Sequence, residues 1–142
     1  MLEVKGLSVG YKELIAVQDV SFAVQKGEVV SLVGSNGAGK STILRTIAGL
    51  LRPRRGEILL NGVPIHVVPP YEIVRKRIAM VPEGRQLFGR LSVLDNLLLG
   101  AYALDSKGEI ATLLESLGVR HIQRLRLWNG GLLLLRADQS GE

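Results

Sequence analysis

The chain has 142 residues, a formal net charge of +5 and no cysteine. Its length suggests one domain, and its hydrophobic content of 46% is sufficient for a buried core. The lack of cysteine excludes a disulfide framework and fits a reducing compartment. No apolar run reaches the ~20 residues that a membrane helix needs, and the N-terminus lacks the basic-then-apolar form of a signal peptide. We therefore expect a cytoplasmic chain.

The basic residues gather in three clusters, at 52–55, 75–77 and 120–126. Nucleic-acid binding surfaces usually combine such charge with stacking rings, but only 4% of the residues are aromatic and no zinc or RNP motif occurs. We therefore expect no nucleic-acid partner. The charges are expected to form solvated faces, with some attraction to polyphosphate or anionic lipid.

Two runs near the N-terminus, 2–9 and 16–24, alternate apolar and polar residues. This period predicts half-exposed antiparallel strands, with Tyr11 in the turn between them. A Lys26-Gly27 turn leads into 28–33, which is apolar and rich in β-branched residues. That composition predicts a strand buried on both faces of a parallel sheet.

The next stretch, Gly34-Ser35-Asn36-Gly37-Ala38-Gly39-Lys40-Ser41-Thr42, fits the pattern G-x-x-x-x-G-K-S/T. Its glycines allow backbone N–H groups to turn inward around phosphates, and the following helix directs its positive end at the same charge. Lys40 can reach the β- and γ-phosphates, and the Ser41 hydroxyl can ligate Mg²⁺. The pattern predicts a nucleotide site, since the alternative, a Gly-rich turn, leaves the Lys-Ser pair unexplained.

Further along the chain, the apolar spacing predicts a helix over 40–48 that Gly49 ends. Arg54-Arg55-Gly56 then turns into a strand at 57–60, and Asn61-Gly62 predicts a hairpin. Pro69-Pro70 opens a short helix at 71–77, which is followed by a second buried strand at 78–81.

Two capping patterns follow the loop at 82–90. Ser92 with Asp95 predicts a helix from Val93 to about Ala103. Ser106 with Glu109 predicts another, which closes at Gly118.

The loop reads G-x-N-G-A-G-K-S, an isolated aromatic residue precedes it, and two antiparallel runs lie before it. In these features the chain resembles the ATP-binding subunits of ABC transporters. The resemblance implies an α/β fold, with a P-loop NTPase-like parallel sheet core and an antiparallel β layer at the N-terminus, incomplete relative to the family. It implies ATP bound by Gly34–Thr42, with Tyr11 stacked on adenine and Thr42 bonded to the α-phosphate. The alternative for Tyr11 is a surface turn residue.

The segments 69–75, 81–85 and 91–102 resemble the subgroup that serves branched-chain amino-acid uptake, and its amide or urea relatives. Most of the family carries Gln where Glu83 stands, whereas this subgroup places Glu there. The resemblance implies that the Glu83 carboxylate approaches Mg²⁺ or the attacking water. The alternative is a solvent-exposed loop residue.

The family also implies partners. The loop after Glu83 and the helical segment behind it contact a membrane-spanning subunit, and another ATP-binding subunit completes a homo- or heterodimer. The chain is then peripheral on the inner face of the plasma membrane. Five apolar residues are candidates for the docking surface, or alternatively for the core: Leu87, Phe88, Leu91, Val93 and Leu94.

The resemblance covers 1–104, weakens through a helical segment at 105–118, and leaves 119–142 as an unmatched tail. The sequence contains no L-S-G-G-Q/E signature, no apolar strand followed by Asp-Glu and no switch His in order, and no catalytic residue is identified. We expect a truncated or frameshifted member that binds Mg·ATP without hydrolysing it alone. A half-site completed by a partner subunit and a non-functional fragment remain alternatives.

Overall fold

The structure is a computed structural model that describes residues 1–84, 86–104 and 107–117. It divides into two compact units, of which the first is Met1–Met80 and the second begins at Val81. The first unit contains β1 (Leu2–Tyr11), β2 (Leu14–Val24), α1 (Lys40–Ile47), β3 (Arg55–Leu60), β4 (Val63–Pro64) and α2 (Pro70–Arg75). The second contains α3 (Val93–Gly100) and α4 (Lys107–Ser116).

The four strands form one antiparallel sheet in the order β2-β1-β3-β4, which confirms the antiparallel layer predicted from the alternating runs. Val4, Leu7 and Val9 of β1 are all buried, although a regular strand would place Val4 and Leu7 on opposite faces. Gly6, with φ +58°, lies where the register shifts, and it inserts the extra residue of a bulge. The bulge therefore keeps these apolar side chains on the inner face.

The predicted hairpin at Asn61-Gly62 is confirmed. These two residues join β3 to β4, and both have left-handed backbones, with φ of 49° and 79°, as a type I′ turn requires. Beyond the hairpin, His66 Nδ1 accepts the backbone N–H of Ile58 at 3.2 Å. His66 thus satisfies a strand donor, which is a structural role.

The core of the first unit lies between α1 and the sheet. Residues 42, 43, 46 and 47 of α1 are buried, as expected for one face of a helix. Each buried Ile or Val contributes roughly 1.5–3 kcal/mol. The buried apolar cluster consists of Val4, Leu7, Val9, Val17, Ile43, Ile47, Ile58 and Ile65.

The connection from α1 to α2 is tightly packed. Gly49, with φ +75°, follows the end of α1 as predicted. A Cβ at Gly49 would lie 2.6 Å from Ile73 Cδ1 in α2, and Ile73 is fully buried. The helix predicted at 71–77 spans Pro70–Arg75, with Pro70 in its first turn. Glycine is therefore needed at position 49 for both its conformation and its size.

The strand predictions at 28–33 and 78–81 are wrong for this structure, because neither segment pairs in a sheet with any residue that the structure describes. Val29 and Val33 are 96% and 93% exposed. The Ile78 N–H donates to Ile73 O, at 3.4 Å, and so extends the last turn of α2. A parallel strand depends on neighbours on both sides, and the sequence pattern alone does not provide them.

In the second unit, the capping prediction at Ser92 is confirmed, since Ser92 Oγ accepts the Asp95 N–H at 3.1 Å and α3 begins at Val93. The helix ends at Gly100 rather than near Ala103, and 101–103 form a turn. The buried cluster of this unit is Leu98, Ala101, Ile110 and Leu114.

The predicted limits of the last helix, Ser106 and Gly118, lie outside the described residues, as does the proposed tail at 119–142. The domain limits predicted after residues 104 and 118 mark where the family resemblance weakens and where it ends. These limits stay predictions. None of the helices described is long and apolar enough to cross a bilayer.

The exposure of 28–33 predicts how two neighbouring substitutions differ. Val33→Thr should change the free energy of unfolding by less than about 0.5 kcal/mol, since the side chain is exposed. Leu32→Ala should cost about 1–2 kcal/mol, because Leu32 packs partly against the core cluster. Urea denaturation followed by circular dichroism measures both. Equal losses would indicate that this segment is a buried strand in solution.

Candidate phosphate-binding site

The loop between residue 33 and α1 owes its path to two glycines. Gly37 and Gly39 have φ of +86° and +84°, a region that other residues adopt at a cost of roughly 1–2 kcal/mol each. Between them, the Ala38 N–H donates to Ser35 O at 3.2 Å and tightens the turn. Successive left-handed and right-handed residues form a concave run of N–H groups that suits an anion.

Gly39 also fixes the loop to the sheet. A Cβ at this position would lie 2.5 Å from Val17 Cγ2 and 2.6 Å from Ala16 O, both in β2. Gly39 is buried and is the N-cap of α1. The end of the loop is therefore seated directly on β2, where only a glycine fits.

The Lys40 side chain folds back over the loop. Its Nζ donates to Gly34 O and to Ser35 O, each at 2.7 Å. An ammonium group has three protons, so one remains for a further acceptor such as a phosphate oxygen. These bonds hold the charge of Lys40 against the two carbonyl groups at the start of the loop.

The first turn of α1 is suited to an anion. The Ile43 N–H donates to Gly39 O at 2.9 Å, while the earlier N–H groups of a helix have no intrahelical acceptor. No side chain caps this end, and the first turn carries no acidic residue. Ser41 is exposed and Thr42 is buried. The positive end of the helix is thus left open to phosphate.

Tyr11 lies beside α1. It is the last residue of β1 rather than part of the turn, which corrects its predicted position. Its hydroxyl accepts a hydrogen bond from Arg45 Nη1 at 3.3 Å, and its side chain stays 42% exposed. Hydrogen bonding by Thr42, and then by Arg45, lowers the pKa of Tyr11, against an opposing effect of burial. The hydroxyl end of the ring is therefore held against α1, the helix that follows the loop.

Arg45 was not predicted as part of the site. Its spacing from Ser41 and Thr42 places all three on neighbouring positions of a helix surface. That spacing was a usable signal for proximity to the loop. No sequence signal links it to Tyr11, which is 34 positions away.

The two proposed magnesium ligands belong to different units of the structure. Ser41 is exposed in the first turn of α1, whereas Glu83 is exposed in a turn of the second unit. Among the described side chains, no three His, Cys, Asp or Glu residues group closely enough to hold a metal. Mg²⁺ in nucleotide sites commonly takes phosphate and water oxygens with one or two protein ligands, so the Ser41 hydroxyl fits this ion.

The apolar loop of the second unit is ordered by one side chain. Asn96 accepts the Phe88 N–H at 3.0 Å and donates to Phe88 O at 3.1 Å and to Ser92 O at 2.9 Å. Of the five docking candidates, Leu94 packs partly against the buried cluster. The other four are exposed: Leu87, Phe88, Leu91 and Val93.

Known proteins with similar sequences are ATP-binding proteins of ABC transporters. The ABC transporter family model matches residues 17–132, which extends beyond the predicted start of the unmatched tail. The branched-chain amino acid transport ATP-binding protein BraG of Pseudomonas aeruginosa is 39% identical over 137 residues, covering 92% of this chain and 59% of BraG. The putrescine transport ATP-binding protein PotG of Escherichia coli is 39% identical over 125 residues, covering 87% of this chain and 32% of PotG.

Solved structures agree with the sequence comparison. The ATP-binding subunit of an ABC transporter superposes with a TM-score of 0.67 at 40% identity, covering 83% of this chain and 50% of that subunit. The dimeric cassette MJ0796, bound to ADP and Pi, superposes with a TM-score of 0.67 at 28% identity, covering 83% and 56%. These likenesses confirm the predicted fold class, including its being partial relative to the family.

Gly37 and Gly39 both have left-handed backbones, but substitution by alanine should lower stability by different amounts at the two positions. Gly37→Ala should destabilise the chain by about 1–2 kcal/mol, because it adds only backbone strain in open space. Gly39→Ala should cost at least about 1 kcal/mol more, since its Cβ also collides with β2. Urea denaturation of the two variants measures the difference. Equal losses would contradict the seating of the loop on β2.

Proposed function

Because this chain belongs to the ABC transporter family, we propose that it binds Mg·ATP through Gly34–Thr42 as an ATP-binding subunit of a transporter. The observation that carries the proposal is the arched loop at the start of α1. There Lys40 bridges Gly34 O and Ser35 O at 2.7 Å, and no acidic residue occupies the first turn of the helix. Positive charge, open N–H groups and lack of competing carboxylate together favour a polyphosphate.

Several residues of the loop, and Tyr11 beside it, have distinct parts in the proposed binding mode. The third proton of Lys40 serves the β- and γ-phosphates, and the backbone N–H groups around Gly37 and Gly39 surround them. Ser41 supplies a hydroxyl to Mg²⁺, which when bound neutralises phosphate charge. Thr42 hydrogen-bonds the α-phosphate. The part-exposed ring of Tyr11 offers a face for adenine.

The proposal concerns binding rather than turnover by these residues alone. Hydrolysis in this family requires the signature, the Asp-Glu strand and the switch His, and the sequence contains none of them in order. A half-site that a partner subunit completes is the second candidate. It is favoured by the dimeric arrangement of the structurally similar cassette.

Branched-chain amino acids are the proposed cargo of the transporter. The support is the likeness to BraG and the subgroup pattern around Glu83. A urea or amide cargo is the alternative, and PotG shows that similar sequences also serve putrescine transport. The chain spans 59% or less of these two relatives.

A membrane-spanning subunit is the proposed partner of the second unit. Four exposed apolar side chains in and beside the loop at 87–93 support this, since such a patch suits an interface. Asn96 holds the loop in shape. Such a complex would place the chain at the inner face of the plasma membrane, and a homo- or heterodimer of ATP-binding subunits would complete it.

Calorimetric titration of the chain with Mg·ATP tests the proposed site. The wild-type chain should bind saturably. Lys40→Ala should lower the affinity for Mg·ATP by about tenfold to a hundredfold, because it removes a charge-assisted hydrogen bond to phosphate.

The matched control is Lys26→Ala, which removes the same charge from an exposed turn that precedes the loop. Its affinity should stay within about twofold of wild type. Equal losses in the two variants would indicate a general charge effect. A wild-type chain that binds no Mg·ATP would overturn the proposed function.

A separate prediction concerns Glu83 as a second magnesium contact. Glu83→Gln should reduce the gain in ATP affinity that Mg²⁺ provides, since an amide is a weaker ligand than a carboxylate. It should also raise the affinity for metal-free ATP, because a negative charge near the γ-phosphate is lost. Titrations with Mg²⁺ and with EDTA give both values. Glu72→Gln, an exposed site in α2, is the control, and an identical response there would refute the role of Glu83.

A further inference from the structure

Arg45 and Tyr11 form a contact that the phosphate chemistry does not require. Arg45 is exposed on α1, and within the described part of the chain it makes no ion pair. Its Nη1 instead donates to the Tyr11 hydroxyl at 3.3 Å. A guanidinium has several donors in a fixed plane, so this contact limits the rotation of the phenol.

The backbone of Tyr11 is also constrained. Tyr11 pairs with Leu14 across the hairpin, and Gly10 approaches Leu14 O so closely that a Cβ would collide with it. The ring is therefore fixed at the strand by its backbone and at α1 by its hydroxyl. A side chain that is already ordered loses less conformational entropy when a ligand stacks on it.

We propose that Arg45 is a positioning residue that holds the Tyr11 ring ready for the nucleobase, and so sets how strongly the site prefers a nucleotide over a bare polyphosphate. The inference rests on the proposed function, since it concerns the base end of the same ATP site. Arg45 acts through the Tyr11 hydroxyl and need not touch the ligand.

The lowered pKa of Tyr11 agrees with this contact. The Thr42 hydrogen bond is its largest cause and the Arg45 hydrogen bond its second. Both stabilise the tyrosinate, so removal of Arg45 should raise the pH at which Tyr11 ionises.

The test compares the affinity for Mg·ATP with that for inorganic tripolyphosphate with Mg²⁺. In the ratio of the two affinities, the effect of losing one positive charge cancels, because it weakens the binding of both ligands. Arg45→Met, which keeps a long side chain without a donor, should lower the preference for ATP by about threefold to tenfold. Tyr11→Phe, which keeps the ring, should lower it at least as much, because it deletes the hydroxyl itself. The double variant should be no worse than Tyr11→Phe alone, because that substitution already removes the bond to Arg45.

Arg52→Met, an equal charge change at an exposed position outside α1, is the control and should leave the ratio unchanged. A spectroscopic readout separates positioning from a merely structural role. In the unliganded chain, absorbance titration of tyrosinate should show a component, absent in Tyr11→Phe, that moves to higher pH in Arg45→Met. The chain has three tyrosines, so the Tyr11→Phe difference assigns it.

An unchanged ratio in Arg45→Met, an undiminished effect of Arg45→Met in the Tyr11→Phe background, or an unmoved tyrosinate component would each overturn the inference. If wild type binds both probes and the ratio does not respond, only the role of Arg45 fails. If wild type binds neither probe, the proposed function fails and the role of Arg45 fails with it.

Discussion

The contact between Gly39 and β2 is the constraint on which the site depends. Because this residue has no side chain, the end of the phosphate loop lies directly against Ala16 and Val17. The same residue caps α1, whose buried face then meets the sheet through Ile43 and Ile47. One close approach thus joins the loop, the helix and the antiparallel layer, and any side chain there would separate all three.

This arrangement explains how a phosphate loop keeps its shape although the segment before it pairs with no described strand. The loop is held from its far end, by α1 on β2, and from within, by Lys40 on Gly34 O and Ser35 O. The lysine orders the loop through these two carbonyl contacts. In the proposed binding mode, its remaining proton would also meet a phosphate oxygen.

The phosphates and the base of ATP are proposed to bind at different parts of the first unit. In the proposed binding mode, phosphate groups would meet backbone N–H groups and the Lys40 charge in the loop that leads into α1. The base would meet Tyr11 at the end of β1, whose hydroxyl accepts a hydrogen bond from Arg45. The second unit has its own core of Leu98, Ala101, Ile110 and Leu114, and it carries both Glu83 and the exposed apolar patch. The phosphate loop and Tyr11 thus belong to the first unit, whereas the proposed partner surface belongs to the second.

The sequence by itself determined the features whose causes are local. The hairpin at Asn61-Gly62, the cap at Ser92 and the loop Gly34–Thr42 follow from residues within a few positions of one another, so their patterns predict them. Only the tertiary structure decided the features that depend on distant partners. The apolar run 28–33 resembles a buried strand, yet pairing requires neighbours that its own composition does not encode. Likewise, Arg45 reaches Tyr11 across 34 positions only because α1 lies on the sheet, which is why the sequence did not reveal that bond.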